Sequence, residues 1–393
     1  MKSSTKTKKD KLAQAVVEAD WEFRDSDTKE LTHELHRYSG KYIPQIARQA
    51  MELISEPGEL ILDPYVGSGT TLLEANLINR NSIGIDLNPL AVSISKVKTT
   101  PIEDEKLNIF LKHFENIADA LITSRKGQQF LLGEQTSLLR EEAINDSRFK
   151  NIWFQKWFNP KILEDLLVLD YHISKYDDES LSALGRISLS NILRRSSNAH
   201  SGYPNVMFDK NKNNQSSPAV YFLKELNENI SKVKELNKKF NKKIETSVVQ
   251  GDATNLPIEN DSVDAVVTHP PYIGSVPYAE YGLLSLKWLG FDPKELDQKL
   301  TGGKRQTADV VTRFTDSYKK MLSESFRVLK NGRHIFLLVG DPTVKGEVVD
   351  LAQMTKELAE EVGFRFVVEK KRNGVNRRAN KMGAETLLFL KKD

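Results

Sequence analysis

The segment Leu60-Ile61-Leu62-Asp63-Pro64-Tyr65-Val66-Gly67-Ser68-Gly69-Thr70 constrains the fold more than any other part of the chain. Its apolar run predicts a short strand, and Gly67 and Gly69 permit a tight turn that side chains would obstruct. Thr70 to Ile78 then predicts a helix, with Leu72, Leu73, Ala75 and Ile78 available to face a sheet. A second strand, Ser82-Ile83-Gly84-Ile85, ends at Asp86. Strand, glycine loop, helix and strand in that order open an α/β unit with a right-handed crossover.

Further strands are expected at Thr246–Val249, Val263–Val267 and Arg333–Gly340. Phe364–Glu369 and Glu385–Leu390 read as an antiparallel pair closing the chain. Between the second and third strands the pattern changes. Leu107, Phe110, Phe114, Ile117 and Leu121 recur at helical spacing, and Ile162, Leu163, Leu166, Leu167 and Leu169 do so again. The expected fold is therefore α/β: a Rossmann-like sheet, an antiparallel terminal strand pair and a mainly helical insertion. The expected division is a flexible basic arm over 1–30, a catalytic domain over 31–100 and 216–393, and the insertion over 101–215.

Charge and composition narrow the function. Lys and Arg number 57 against 54 Asp and Glu, so the balance of +3 permits a polyanionic partner without demanding one. Lys370, Lys371, Arg372, Arg377, Arg378 and Lys381 nevertheless cluster without an intervening acid, as phosphate contacts or as a solvated hairpin loop. Trp153, Trp157, Arg194 and Arg195 likewise suit either DNA contact or internal packing and pairing. No apolar stretch approaches the roughly 20 residues of a membrane-spanning helix, so no membrane partner is expected. The chain has no cysteine, which fits a reducing, cytoplasmic setting and removes thiolate metal sites. It also removes carbon-5 cytosine methylation through a cysteine nucleophile. No metal is expected.

The glycine loop lacks both the Gly-x-Gly-x-x-Gly spacing of a dinucleotide fingerprint and the Gly-Lys-Ser/Thr ending of a P-loop. It suits a nucleoside-bearing ligand without a triphosphate, such as S-adenosylmethionine. Asp63 at the first strand end is a candidate acceptor for the ligand's amine, with Tyr65, Gly67, Gly69 and Thr70 around it. Asp86, at the second strand end, suits two ribose hydroxyls. Asp252, in Gly251-Asp252-Ala253, suits the adenine amine, although a surface turn would also place an acid there.

A second short segment, Thr268-His269-Pro270-Pro271-Tyr272, follows the strand ending at Val267. Two prolines restrict the backbone and hold nearby carbonyls in one arrangement. An exocyclic amine of a nucleobase is a poor nucleophile because its lone pair is delocalised into the ring. A carbonyl near Pro270 and the side chain of His269 are candidate acceptors for its hydrogens, and Tyr272 is a candidate stacking surface for the base.

The glycine loop and the Pro-Pro-Tyr corner together resemble the cofactor and catalytic loops of amino-group DNA methyltransferases, which make N4-methylcytosine or N6-methyladenine. The upstream Thr32-His33-Glu34-Leu35-His36-Arg37-Tyr38-Ser39-Gly40-Lys41-Tyr42-Ile43-Pro44 resembles a further family segment. The resemblance covers residues 32–97 and 246–340. It implies that Tyr38, Gly40 and Lys41 line the methionine side, that Asp86 binds ribose, that Thr268 adjoins the cofactor, and that His269 through Tyr272 form the catalytic corner.

It also implies S-adenosylmethionine as cofactor, double-stranded DNA with a flipped base as substrate, and a restriction-modification setting with a possible cognate endonuclease. His269 departs from the family, which usually has Asp, Asn or Ser there. The insertion departs too, lying between the ribose acid and Asp252. His36-x-Tyr38-x-x-Lys41-Tyr42-Ile43-Pro44 and the Thr before the corner favour cytosine N4 over adenine N6. Guanine-N2 methylation of RNA and a noncatalytic nucleic-acid-binding module are the other readings. The oligomeric state leaves no signal in the sequence.

Overall fold

The computed structural model describes residues 8–125, 140–203, 205–214, 216–274, 277–302, 309–344, 346–373 and 384–393. Among the described residues, seven strands form one sheet in the order β3-β2-β1-β4-β5-β9-β8. In chain order these are β1 (Leu60–Asp63), β2 (Asn81–Asp86), β3 (Thr246–Gln250), β4 (Val263–Thr268), β5 (Leu329–Gly340), β8 (Phe364–Arg372) and β9 (Glu385–Lys392). Short β6 (Thr343–Val344) and β7 (Glu347–Val348) form a separate two-stranded ladder. Strands β1 to β5 pair in parallel, and β9 and β8 complete the sheet antiparallel.

Central strands covered on both faces need apolar residues at consecutive positions. All six residues of β4 are buried, as are the last six of β5. Alternate residues still serve different layers. Ile61, Ala265, Val267, Phe336, Leu338 and Phe389 face one core, whereas Leu62, Val266, Ile335, Leu337, Leu388 and Leu390 face the other. Helices Val310–Val328 and Leu351–Val362 cover the second of these faces.

The first face receives α1 (Lys8–Glu18) and α2 (Pro44–Ile54). This corrects the expectation of a flexible arm over residues 1–30, at least from Lys8 onward; residues 1–7 lie outside the described residues. Trp21 is only 2% exposed and its ring lies 6.3 Å from Phe336 and 6.0 Å from Phe389. An indole that size stabilises the fold mainly when buried with its N–H satisfied, and here it donates to the Val16 carbonyl at 2.9 Å.

The basic cluster near the end of the chain divides. Arg372 is buried, pairs with Glu385 and donates to the Trp21 carbonyl, so it holds the N-terminal segment against the sheet. That correction removes it from the phosphate contacts the sequence allowed. Arg377, Arg378 and Lys381 lie outside the described residues.

Helix α3 (Thr70–Leu77) connects β1 to β2, and α4 (Pro89–Lys98) and α5 (Asp104–Arg125) follow β2. Helices Pro160–Ser174, Glu179–Ser196 and Pro218–Lys239 share one core with α5. Trp157 is buried in it against Phe208, and Trp153 packs partly buried on Trp157. Packing, the blander alternative for these tryptophans, is what the structure displays. Helix Pro218–Lys239, assigned from sequence to the catalytic portion, contributes Phe222, Leu226 and Val233 to this helical core.

One close approach brings the glycine loop onto the sheet. A Cβ at Gly84 of β2 would lie 2.4 Å from Val66 Cγ2 and 2.8 Å from Leu72 Cδ2. Gly84→Ala is expected to cost about 1–3 kcal/mol by overpacking. Reversible urea unfolding measures this, and an unchanged midpoint would mean that loop and strand separate freely.

Candidate active site

Successive strands run from β1 outward to β2 and β3, then return to β4 on the other side of β1. The crevice of such a sheet lies at that reversal, outside the carboxyl ends of the strands. The loops after β1, β2, β3 and β4 all meet there. Tyr38, Tyr65, Gly67, Asp86, Asp252, His269 and Pro271 line a single cavity.

Asp86 is the acid best placed for a ligand. Its Oδ2 accepts from the Gly67 N–H at 2.9 Å and its Oδ1 from the Asn88 N–H at 2.8 Å. Each oxygen keeps a further lone pair, the complement of a vicinal diol. Burial raises its carboxyl to about 6, although the hydrogen bonds from Asn88 and Gly67 oppose the rise.

Asp63 occupies a different role from the one its strand-end position suggested. It is 1% exposed and does not line the cavity. Oδ1 accepts from Thr268 Oγ1 at 2.7 Å and from the Tyr65 N–H at 3.1 Å, while Oδ2 accepts from Thr71. Tyr42 is hydrogen-bonded to the same Thr71 hydroxyl at 2.5 Å. Asp63 therefore ties the ends of β1 and β4 to the start of α3. Burial pushes it to about 6 against the hydrogen bonds from Thr71, Thr268 and Tyr65.

Other predicted residues also stand behind the cavity. Thr268 is fully buried on Asp63 and Thr70 is 4% exposed in the first turn of α3. Gly69 has φ +80°, and a Cβ there would lie 2.9 Å from Ser95 Oγ, so the turn closes against α4. The Lys41 ammonium donates to the His33 carbonyl at 3.0 Å and is not part of the lining. Asp252 is exposed, lines the cavity and caps its own turn by accepting from Thr254 N–H at 2.8 Å and Thr254 Oγ1 at 2.9 Å. Both the ligand and surface-turn readings of Asp252 are thus represented in its geometry.

The Pro-Pro-Tyr corner reaches the same cavity through His269 and Pro271. Nδ1 of His269 lies 3.1 Å from the Gly40 carbonyl, which only accepts, so that nitrogen carries the proton. Nε2 is then the acceptor, and it receives the Tyr272 hydroxyl at 2.7 Å. The tautomer follows from this hydrogen-bond network. Burial pushes the imidazole down to about 4, outweighing the Gly40 hydrogen bond, and leaves it neutral near pH 7.

Tyr272 does not present its face to the cavity. It is 6% exposed, lies edge-on to His269 at 5.2 Å and 85°, and sits where a Cβ on Gly340 would approach its ring to 3.2 Å. Pro270 is buried behind Pro271. The expected stacking platform is therefore folded inward.

Several lining residues escaped the sequence reading. Asn88 was detectable, since Asn88-Pro89 marks a helix start; its side chain caps α4 by accepting the Leu90 N–H at 3.0 Å. Tyr278, Leu300 and Thr301 arrive from segments with no local signature. The Tyr65 hydroxyl donates to Thr301 Oγ1 at 3.2 Å, linking that wall to the glycine loop.

Residues 1–97 match the N6_N4_Mtase family, described as DNA methylase. The chain is 26% identical to the Type II methyltransferase M.MvaI of Kocuria varians, across 94% of this chain and 93% of that relative. It is 25% identical to the Type II methyltransferase M.MjaII of Methanocaldococcus jannaschii, across 88% of this chain and 77% of the relative. Similarity to the Type II methyltransferase M.BsoBI of Geobacillus stearothermophilus is 26% identity across 67% of this chain and 54% of the relative. The family match includes the glycine loop and Asp86, and the longer similarities extend through the Pro-Pro-Tyr corner's half of the chain.

Proposed function

We propose that the chain is an S-adenosylmethionine-dependent amino-group DNA methyltransferase that methylates cytosine N4 in duplex DNA, a reading supported by the family match and by its Type II methyltransferase relatives. The observation that carries this reading is the meeting of Asp86 and Gly67 with His269 and Pro271 in one cavity. The His36-to-Pro44 series and Thr268 before the corner favour cytosine over adenine. The relatives' description as Type II methyltransferases supports a restriction-modification setting and a cognate endonuclease as partner. Because the corner lies at the recessed strand ends, the target base leaves the duplex stack to reach it.

The residues present fit the cofactor. Asp86 would hold the ribose hydroxyls, Gly67 would let the backbone approach, and Tyr38 would line the methionine end. Leu87, Ala253 and Asp252 line the same cavity, where the first two would offer apolar contact to adenine and Asp252 would accept from its amine. When bound, S-adenosylmethionine supplies an electrophilic methyl group on a positively charged sulfur.

His269 serves as a neutral acceptor for the base amine. A protonated imidazole would lose its lone pair and place a second positive charge beside the sulfonium. Gly40 keeps the proton on Nδ1, leaving Nε2 as the acceptor that the amine shares with, or takes from, the Tyr272 hydroxyl. The carbonyls of the Pro-Pro corner accept the remaining amine hydrogen, and their fixed orientation contributes to the rate through positioning.

Transfer of label from the cofactor to DNA, followed by digestion, should yield N4-methylcytosine. Labelled N6-methyladenine alone would overturn the base assignment. Cofactor binding with no transfer to varied DNA or RNA would instead favour a binding module.

The raised Asp86 carboxyl gives a pH test. As pH falls through about 6 the group gains a proton and loses part of its capacity to accept from ribose. The cofactor-induced rise in melting temperature should therefore shrink as pH is lowered from about 8 to about 5. In the apo protein the sign is opposite for Asp86 itself. Its folded carboxyl is raised above 3.8, so its contribution to stability is present at low pH and is lost as pH rises through about 6. A cofactor shift independent of pH would remove Asp86 from the ribose site.

A further inference from the structure

A second cavity of about 390 Å³ opens where helix Glu179–Ser196 meets the segment before α2 and residues 278–285. The rings of Tyr38 and Tyr278 stack 6.0 Å apart and border both this cavity and the cofactor site, forming the wall between them. On one side His36, Ser190 and Ser285 are linked side chain to side chain at 3.0 and 2.8 Å. Around the rest stand Arg37, Arg194, Arg195 and Lys212.

No carboxylate lines this cavity among the described residues. The cations are nonetheless held in place. The Arg195 guanidinium lies 4.0 Å over the Tyr221 ring, and the Lys212 ammonium donates to the Ala199 carbonyl at 2.9 Å. Arg194 donates to the carbonyls of His200 and Asn205, each at 3.0 Å, which fixes the loop opposite. Asp209, the acid acting on Lys212, is engaged with His200 at 3.2 Å. Burial is the largest influence lowering both Arg194 and Lys212; Arg37 adds to it at Arg194, whereas at Lys212 the nearby Asp209 and Tyr221 oppose it more strongly than Arg194 adds to it. A set of cations already held in place loses little entropy on binding an anion.

We propose that this cleft binds a phosphodiester of the substrate DNA strand, using Arg195 and Lys212 from the helical body and Arg37 from the segment before α2. The proposal rests on the DNA-methylating reading above and gives the insertion a definite part in it. It accounts for a cavity with aromatic walls and a basic rim beside the cofactor site, which the transfer reaction itself does not use. The segment carrying Tyr38 separates the two sites by a single pair of stacked rings. Strand binding and cofactor binding therefore share one structural element.

The test measures binding of a labelled duplex by fluorescence anisotropy across a salt series, using Arg195→Gln, Lys212→Gln and the double variant. Each phosphate contact contributes about 0.9 to the slope of log affinity against log salt. The double variant should lose about 0.9 of slope, the share of the one phosphodiester held there, and bind at least about 10-fold more weakly at low salt. Arg195→Lys should retain most of the slope that Arg195→Gln loses, a split that a role confined to packing on Tyr221 would not produce.

S-adenosylmethionine affinity and the melting temperature of each variant report whether the fold survives. An unchanged salt slope in folded variants overturns the phosphate assignment while leaving methyl transfer by the native protein intact. A lost slope supports it even if the methylated base proves to be adenine. Absence of salt-dependent duplex binding by the native protein overturns this proposal and the DNA reading together.

Discussion

Asp86→Ala is expected to weaken S-adenosylmethionine binding about 100-fold, as read by isothermal titration near pH 8. Hydrogen bonds to a charged acceptor contribute about 1.5–3 kcal/mol each, and two ribose hydroxyls would lose their partner together. The carboxylate also organises its surroundings through Gly67 and Asn88. Part of the loss will therefore come from a looser glycine loop. Asp86→Asn separates the contributions, since its amide oxygen retains one acceptor while the charge is gone. An affinity unchanged by the alanine substitution would place the ribose elsewhere.

The second large effect belongs to His269. His269→Ala should lower kcat about 100-fold or more, the scale of a positioned proton acceptor, while leaving cofactor affinity within about 3-fold. His269→Asn should recover part of the rate because an amide oxygen also accepts a hydrogen bond. Tyr272→Phe discriminates further. It removes the hydroxyl that occupies Nε2 while retaining a ring, so it should reduce transfer far less than His269→Ala does. Rapid-quench measurement of a single turnover isolates the chemical step from product release. A full rate in His269→Ala would assign the amine's hydrogens to backbone carbonyls alone.

These two residues were legible in the sequence for different reasons. Asp86 closes an apolar run one crossover after a glycine loop, and both the strand and the turn are local patterns. His269 was visible only through the two prolines that follow it. Its actual partners, Gly40 and Tyr272, combine a residue from far upstream with one three positions away. Periodicity carries no information about a hydrogen bond of the first kind.

Asp63 illustrates the limit more sharply. Its position at a strand end is equally consistent with touching a ligand or with supporting the residues that do. Burial and the bonds to Thr71, Thr268 and Tyr65 decide for support. Trp21 was similarly silent within a polar N-terminal stretch until Phe336 and Phe389 supplied an apolar surface for it. Arg372, in a run of bases, was turned inward by Glu385 and the Trp21 carbonyl.

The glycine loop that opens the α/β unit thus did determine, from sequence alone, the parallel sheet and the acid at the end of its second strand. It could do so because turn geometry and strand burial depend on neighbours a few residues apart. Which acid lines the cavity, which tautomer His269 holds and which basic residues surround a second cleft depended on segments brought together from across the chain. Those outcomes turn on burial and on hydrogen-bond partners, and both come into existence only when the sheet and the helical body have packed.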